Sequence, residues 1–117
     1  MSNLDDLHRM RDAAGAAFGH LGILFANAAW PSQTPLEKCN EATCDRIIHI
    51  NVKGTFFTAQ TALPLMREVG SIILNTSWLN QVSAPERAVL SASKAAARSF
   101  AHTMSAELLP RRIRPTW

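Results

Sequence analysis

Two uninterrupted apolar runs, separated by a long helical stretch, constrain the fold of this chain more than any other feature. The first run covers residues 21–26, within LGILFANAA, and the second, SIILN, covers residues 71–75. Strands that are apolar at every position are typical of a parallel sheet covered on both faces. Because the connection is far too long for a hairpin, we expect parallel strands joined by a right-handed helical crossover.

Helical patterns precede and follow these strands. A first helix is predicted over residues 2–18, with Ser2 or Asn3 as its N-cap and Gly19 at its end. Its apolar residues recur at near-helical spacing, at Leu4, Leu7, Ala14 and Phe18. The last helix is predicted over residues 88–109 and ends at Pro110.

A long helix is predicted between the two strands, over residues 41–69. Apolar residues, among them Met66, lie around most of its circumference. The helix should therefore be buried on more than one side. The order helix, strand, helix, strand, helix predicts an α/β fold in a single domain, residues 1–117. A sheet of only two such strands leaves both edges unpaired, so the architecture looks incomplete.

The composition excludes several classes of protein. The chain has 117 residues, 47% of them hydrophobic, and a net charge of +3, which suits one small globular core. Part of the positive charge clusters at Arg111, Arg112 and Arg114, without basic or aromatic alternation, so no nucleic-acid partner is predicted. No apolar run is long enough to span a membrane, and the acidic start MSNLDD is unlike a secretory leader.

The two cysteines, Cys39 and Cys44, have no second Cys or His pair at metal-ligand spacing. We therefore predict two reduced thiols in a cytoplasmic protein, with no metal site and no disulfide.

Polar residues follow both predicted strands: Asn27 after the first, and Thr76 and Ser77 after the second. Ligands of open parallel sheets bind outside the carboxyl ends of the strands, so these positions, with Lys94 on the next helix, are candidate site residues. Each candidate also has a purely structural interpretation. Ser77 could cap a turn and Lys94 could be a solvated lysine, while Asn51 could be a buried amide satisfied by backbone.

Four segments, in chain order, resemble the short-chain dehydrogenase/reductase family. LFANAA resembles the family's Asn-Asn-Ala-Gly segment, with Asn27 and Ala28 matching and Ala26 and Ala29 departing. INVKGTFF resembles the segment around the family's active-site asparagine, which falls on Asn51.

The other two segments carry the family's catalytic positions. GSIILNTS is similar to the strand that ends in the catalytic serine, which falls on Ser77. LSASKAAARSFA is similar to the Tyr-x-x-x-Lys helix, with Lys94 at the lysine and Leu90 at the tyrosine.

The resemblance implies an NAD- or NADP-dependent oxidoreductase that acts on an alcohol/carbonyl pair. In such an enzyme Ser77 would bind the substrate oxygen, and Asn51 would anchor a water of the proton relay. Lys94 would hold the nicotinamide ribose and lower the tyrosine pKa, because a nearby cation favours the phenolate. Asn27 and Ala28 would belong to the cofactor-binding segment.

Two departures from the family pattern imply that this chain is catalytically impaired. Leu90 has no proton to exchange, and Ser91 or Ser93 would be a weak substitute, since Ser91 points about 100° away from position 90 on a helix. The family's Gly-x-x-x-Gly-x-Gly turn is also absent from the 117 residues, which makes cofactor binding doubtful. The expected fold is a partial Rossmann-like, doubly wound parallel sheet that lacks the N-terminal glycine-turn half and the C-terminal strands.

Two alternatives remain open. The helices predicted over residues 41–69 and 88–109 correspond to family helices that pair across a two-fold axis. They could form a non-catalytic interaction module, as a homo-oligomer or as a complex with a full-length relative. A truncated gene product without a stable fold is the other alternative.

Overall fold

The computed structural model describes residues 3–117 as a small α/β unit with a three-stranded parallel sheet of order β1-β2-β3. The partial Rossmann-like fold predicted from the sequence is confirmed. Its main elements are α1 (Leu4–Phe18), β1 (Leu21–Ala26), α2 (Glu41–Ile47), a π-helical segment (Ile48–Gly54), α3 (Thr55–Ala62), β2 (Met66–Leu74), α4 (Ala88–Leu108) and β3 (Arg114–Thr116). Short 3₁₀ turns cover Leu63–Leu65, Trp78–Asn80 and Leu109–Arg111.

The first helix begins as expected but buries little. The Asn3 side chain accepts a hydrogen bond from the Asp5 backbone N–H (2.9 Å), and Gly19 ends the helix with a φ of 72°. Ser2, the alternative cap, lies outside the described residues. Leu7 is buried, whereas Phe18 is 71% exposed, so most of the apolar stripe predicted for α1 is not covered.

The prediction of one continuous helix over residues 41–69 is wrong in two respects. Asn40 caps its start by accepting from the Thr43 backbone N–H (2.8 Å), but the π-helical segment interrupts it, and the helix ends at Ala62. The 3₁₀ turn that follows contains Pro64, which cannot donate a helical hydrogen bond. Met66, predicted on this helix, is instead the first residue of β2 and is buried there.

The two predicted strands pair in parallel, and their register contains a bulge. Leu21 pairs with Met66 and Ile23 pairs with Ser71, so β2 makes a longer excursion than β1 between these positions. Val69, within this excursion, has a φ of 62°, a conformation that is rare for a β-branched residue.

A third strand, β3, pairs in parallel with β2, which corrects the expectation that no C-terminal strand is present. Ser71 pairs with Arg114 and Ile73 pairs with Thr116. The strand escaped the sequence analysis because it has three residues, one of them charged and one a proline. Proline is tolerated there because β3 lies at the edge of the sheet.

One face of the sheet is covered and the other is not. On the covered face, Ile72 and Leu74 are fully buried and pack with residues of α3 and α4, among them Ala59, Ala101 and Leu108. On the opposite face, Ile23 is 66% exposed and Phe25 is 57% exposed. The apolar pattern of β1 predicted burial on both faces, but within residues 3–117 only one face has a partner.

A residue distant in sequence caps the last helix. Arg87 makes no side-chain capping bond, and the buried Thr34 Oγ1 instead accepts from the Val89 backbone N–H (3.2 Å). The Thr34 N–H donates to the Glu86 carbonyl (2.7 Å). The loop after β1 is thereby fixed to the start of α4, close to the carboxyl edge of the sheet.

Among the described residues, none of the helices combines the length and the apolar character that a membrane span requires.

Candidate functional site

An open cleft of about 540 Å³ lies at the carboxyl ends of β1 and β2. All the site residues predicted from the sequence line it, except Asn51. Its lining consists of Asn27, Ala28, Ala29, Pro31, Asn75, Thr76, Ser77, Leu90 and Lys94.

Lys94 is the ionisable residue of this cleft. Its side chain comes from the first half of α4 and is largely buried, with 8% of the residue exposed. Its Nζ donates to the backbone carbonyl of Asn75, at 2.7 Å. Burial lowers the pKa of the Lys94 amine, since desolvation disfavours the charged form. The solvated-lysine interpretation is therefore wrong for this position.

Asn75 lines the cleft and was not among the candidates predicted from the sequence. Its Nδ2 donates to Asn27 Oδ1 (2.6 Å), and its backbone N–H donates to the Ala26 carbonyl (3.0 Å), which continues the sheet ladder. Asn75 thus joins the ends of both strands and also accepts from Lys94. Its position directly after an apolar strand was the available signal.

Ser77 caps a turn, as one interpretation of the sequence predicted, and it also lines the cleft. It lines the cleft, and it caps the 3₁₀ turn Trp78–Asn80, because its Oγ accepts from the Leu79 backbone N–H at 3.2 Å. As the acceptor in that bond, the hydroxyl keeps its own hydrogen. It can therefore still donate to an oxygen atom in the cleft.

Asn51 lies behind the cleft, inside the π-helical segment, a type of distortion that is frequent at functional sites. It is 2% exposed. Its Oδ1 accepts from the Trp30 backbone N–H (2.7 Å), and its Nδ2 donates to the Trp30 carbonyl (3.4 Å) and to Ser93 Oγ (3.0 Å). The side chain is a satisfied buried amide that ties the loop after β1 to α4.

Leu90 is 7% exposed and lies one helical turn before Lys94. Both neighbouring hydroxyls, those of Ser91 and Ser93, donate to backbone carbonyls. Ser91 Oγ donates to the Leu79 carbonyl (2.5 Å), and Ser93 Oγ donates to the Leu90 carbonyl (2.7 Å). Neither serine lines the cleft.

Neither cysteine forms a disulfide: Cys39 and Cys44 are both free thiols. Among residues 3–117, no group of three or more His, Cys, Asp or Glu side chains is placed to hold a metal ion.

A parallel α/β sheet with a polar cleft at the carboxyl ends of its strands is typical of Rossmann-like domains. A family model described as enoyl-(acyl carrier protein) reductase matches residues 1–115. The oxidoreductase asL5 of Sarocladium schorii is 42% identical over 116 residues, which are 97% of this chain and 47% of that protein.

Solved structures of reductases and dehydrogenases superpose closely on this chain. The short-chain dehydrogenase/reductase of Serratia marcescens BCRC 10948 superposes with a TM-score of 0.93 at 29% identity, covering 97% of this chain and 47% of that one. The landomycin C-6 ketoreductase LanV, solved with bound NADP and rabelomycin, gives a TM-score of 0.89 at 30% identity, covering 97% and 48%.

The chain therefore belongs to the short-chain dehydrogenase/reductase family of oxidoreductases. It spans about half the length of the relatives that it matches.

Proposed function

We propose that this chain is a partial NAD(P)-binding domain, residues 1–117, of an oxidoreductase for an alcohol/carbonyl pair, and that it is catalytically impaired as it stands. The observation that carries the proposal is the position of Leu90. It lines the cleft beside Lys94 and Ser77, where the family pattern has its acid-base tyrosine. Ser77 and Lys94, to which the resemblance assigns the other polar roles, line the same cleft, and this supports the proposal.

The cleft residues fit the nicotinamide end of the cofactor. Lys94 Nζ, with donors beyond the one given to Asn75, would bind ribose hydroxyls, and Asn27 and Ala28 would line the same wall. When bound, the nicotinamide would exchange a hydride with the substrate carbon. Support comes from the ketoreductase relative that binds NADP. The 117 residues contain no Gly-x-x-x-Gly-x-Gly turn to hold the pyrophosphate, so binding by this chain alone should be weak.

The proton transfer is the step that this chain cannot support. The Ser77 hydroxyl would orient the substrate oxygen, but a serine without a base is a poor acid, and Leu90 offers no proton. Ser91 and Ser93 have their hydrogens engaged by backbone carbonyls. General acid-base catalysis contributes about 10²- to 10⁴-fold to rates, and we propose that this factor is lost.

Titration of the chain with NADH and NADPH, followed by cofactor fluorescence, tests the proposal. We expect binding that does not saturate at micromolar cofactor and that weakens further in Lys94→Met. Micromolar binding accompanied by turnover of an alcohol or carbonyl compound would overturn the impaired assignment.

A non-catalytic interaction module is a second candidate function, and a groove between α3 and α4 favours it. The groove measures about 440 Å³, and it is lined in part by Phe56 and Phe100, whose ring centroids lie 5.4 Å apart. Its apolar lining includes Leu63, Met104 and Leu108. A second copy, or a full-length relative, could cover this surface.

Light scattering over a range of concentrations tests the module. Ser99→Arg places a charged side chain on the groove wall, whereas Ala95→Arg changes an exposed position outside it. Association that is lost in Ser99→Arg and kept in Ala95→Arg would support the module. A folded monomer at every concentration would refute it.

A cytoplasmic location is also part of our proposal, because two free thiols suit a reducing compartment.

A further inference from the structure

We propose that the Lys94 side chain is a nucleophile that forms an imine with small aldehydes entering the cleft. This activity differs from the proposed oxidoreductase function, since it requires neither a nicotinamide cofactor nor hydride transfer. It depends on the same departure from the family pattern, the leucine at position 90, because Leu90 leaves the lysine without an acidic neighbour.

The surroundings of Lys94 increase the share of its neutral, nucleophilic form relative to an exposed lysine. None of the described residues that line the cleft is a carboxylate, and the Nζ contact is to a backbone carbonyl, that of Asn75 at 2.7 Å. Leu90, one turn away on the same helix, adds an apolar wall. Burial lowers the pKa of this amine, and desolvated lysines of this kind are the ones that form Schiff bases.

The cleft can also accommodate the electrophile. Its volume of about 540 Å³ leaves space beside the buried amine. The walls formed by Ala29, Pro31 and Leu90 suit a short aliphatic chain. The Ser77 hydroxyl, whose oxygen accepts from the Leu79 N–H, has a hydrogen to donate to the aldehyde oxygen.

The reaction balances without an oxidant or a reductant. The nitrogen lone pair attacks the carbonyl carbon and forms a C–N bond, while one N–H proton moves to the oxygen to give a carbinolamine. The C–O bond then breaks, and the oxygen leaves as water with the second N–H proton. The product is a C=N bond between Lys94 and the former aldehyde carbon, and hydrolysis reverses the step.

Reductive trapping tests the proposal in the wild-type chain. The protein is treated with limiting propanal and cyanoborohydride near neutral pH, digested, and each lysine is quantified by mass spectrometry. The other lysines, Lys38 and Lys53, are exposed and serve as internal controls. We expect severalfold faster modification of Lys94 than of either control, and equal rates for all three in denaturant. Modification of Lys94 at or below the rate of Lys38 and Lys53 in the folded chain would overturn the proposal.

A pair of variants tests whether the lack of an acidic side chain at position 90 contributes to the reactivity of Lys94. Leu90→Glu places a carboxylate beside the amine, which favours the charged ammonium, and should slow the labelling of Lys94 severalfold. Leu90→Gln has a similar shape without the charge and should keep most of the reactivity. Equal labelling of Lys94 in two folded variants would contradict the stated role of position 90. The wild-type comparison between lysines remains decisive if Leu90→Glu does not fold. Because the readout is a mass and not turnover, absence of reductase activity does not affect it.

Discussion

Lys94 donates a hydrogen bond from Nζ to the backbone carbonyl of Asn75 across 2.7 Å, and this contact joins α4 to the end of β2. Asn75 in turn donates from its side chain to Asn27 at the end of β1. The two strand ends and the last helix are therefore linked at one point, which forms the wall of the cleft. In the proposed alignment with the family pattern, Leu90 lies one helical turn before this lysine, at the position of the tyrosine.

The first prediction concerns stability as a function of pH. Burial lowers the pKa of Lys94 in the folded chain below its ordinary value of 10.5. Between the folded-state pKa and 10.5, the unfolded chain therefore binds more protons than the folded chain. Stability must then rise with pH in that window. We expect the unfolding free energy of the wild type, relative to Lys94→Met, to increase with pH between the folded-state pKa of Lys94 and 10.5, and to level off above 10.5.

Urea denaturation at several pH values measures this difference. Lys53→Met, at an exposed position, controls for the removal of one positive charge. A wild-type advantage over Lys94→Met that falls as the pH rises would contradict the predicted sign.

The second prediction concerns the Asn51 side chain, which satisfies the backbone N–H and carbonyl of Trp30. Asn51→Ala leaves these groups without a partner, and an unsatisfied buried polar group costs about 1–3 kcal/mol. Ser93→Ala removes a single partner of Asn51 and should cost less, about 0.5–1.5 kcal/mol. Chemical denaturation of both variants checks the order, and equal losses would show that Asn51 is not the structural tie described.

The third prediction concerns the uncovered face of the sheet. Ile23 and Phe25 are 66% and 57% exposed, so Ile23→Thr and Phe25→Thr should each change the unfolding free energy by no more than about 0.5 kcal/mol. Ile72→Ala, at a fully buried position of the opposite face, should cost about 2–5 kcal/mol. Losses in the threonine variants as large as that of Ile72→Ala would mean that this face is covered in solution.

The fourth prediction is that Leu90→Tyr does not restore reductase activity to this chain. The phenol would return beside Lys94, but the 117 residues have no glycine-rich turn to hold the cofactor pyrophosphate. Leu90→Phe supplies the ring without the hydroxyl and is the matched control. Carbonyl-dependent NADPH consumption by Leu90→Tyr, absent from Leu90→Phe, would refute this prediction.

Much of the fold could be predicted because its signals are local. The apolar run of β1 gave the bounds Leu21–Ala26, and the pattern of α4 predicted its end to within one residue. The position of the cleft could be predicted because ligands of open parallel sheets bind outside the carboxyl ends of the strands.

The features that escaped prediction depend on contacts distant in sequence. Apolar periodicity does not distinguish the π-helical segment from an α-helix, and β3 is too short to leave a pattern. Thr34 caps α4 from 55 positions away, and nothing in the residues around it indicates that role. The exposed face of β1 was predicted to be buried because a sequence pattern reports which surfaces are apolar, not whether a partner covers them.

Our main proposal is that the cleft is a short-chain dehydrogenase/reductase site in which Leu90 stands at the position of the acid-base tyrosine. Its most direct test is NADPH oxidation by the wild-type chain with a panel of aldehydes and ketones, measured by absorbance, with Lys94→Met as the control. We expect no oxidation above the rate of the control. Sustained, carbonyl-dependent oxidation that disappears in Lys94→Met would show that the chain is catalytically active and would refute this proposal.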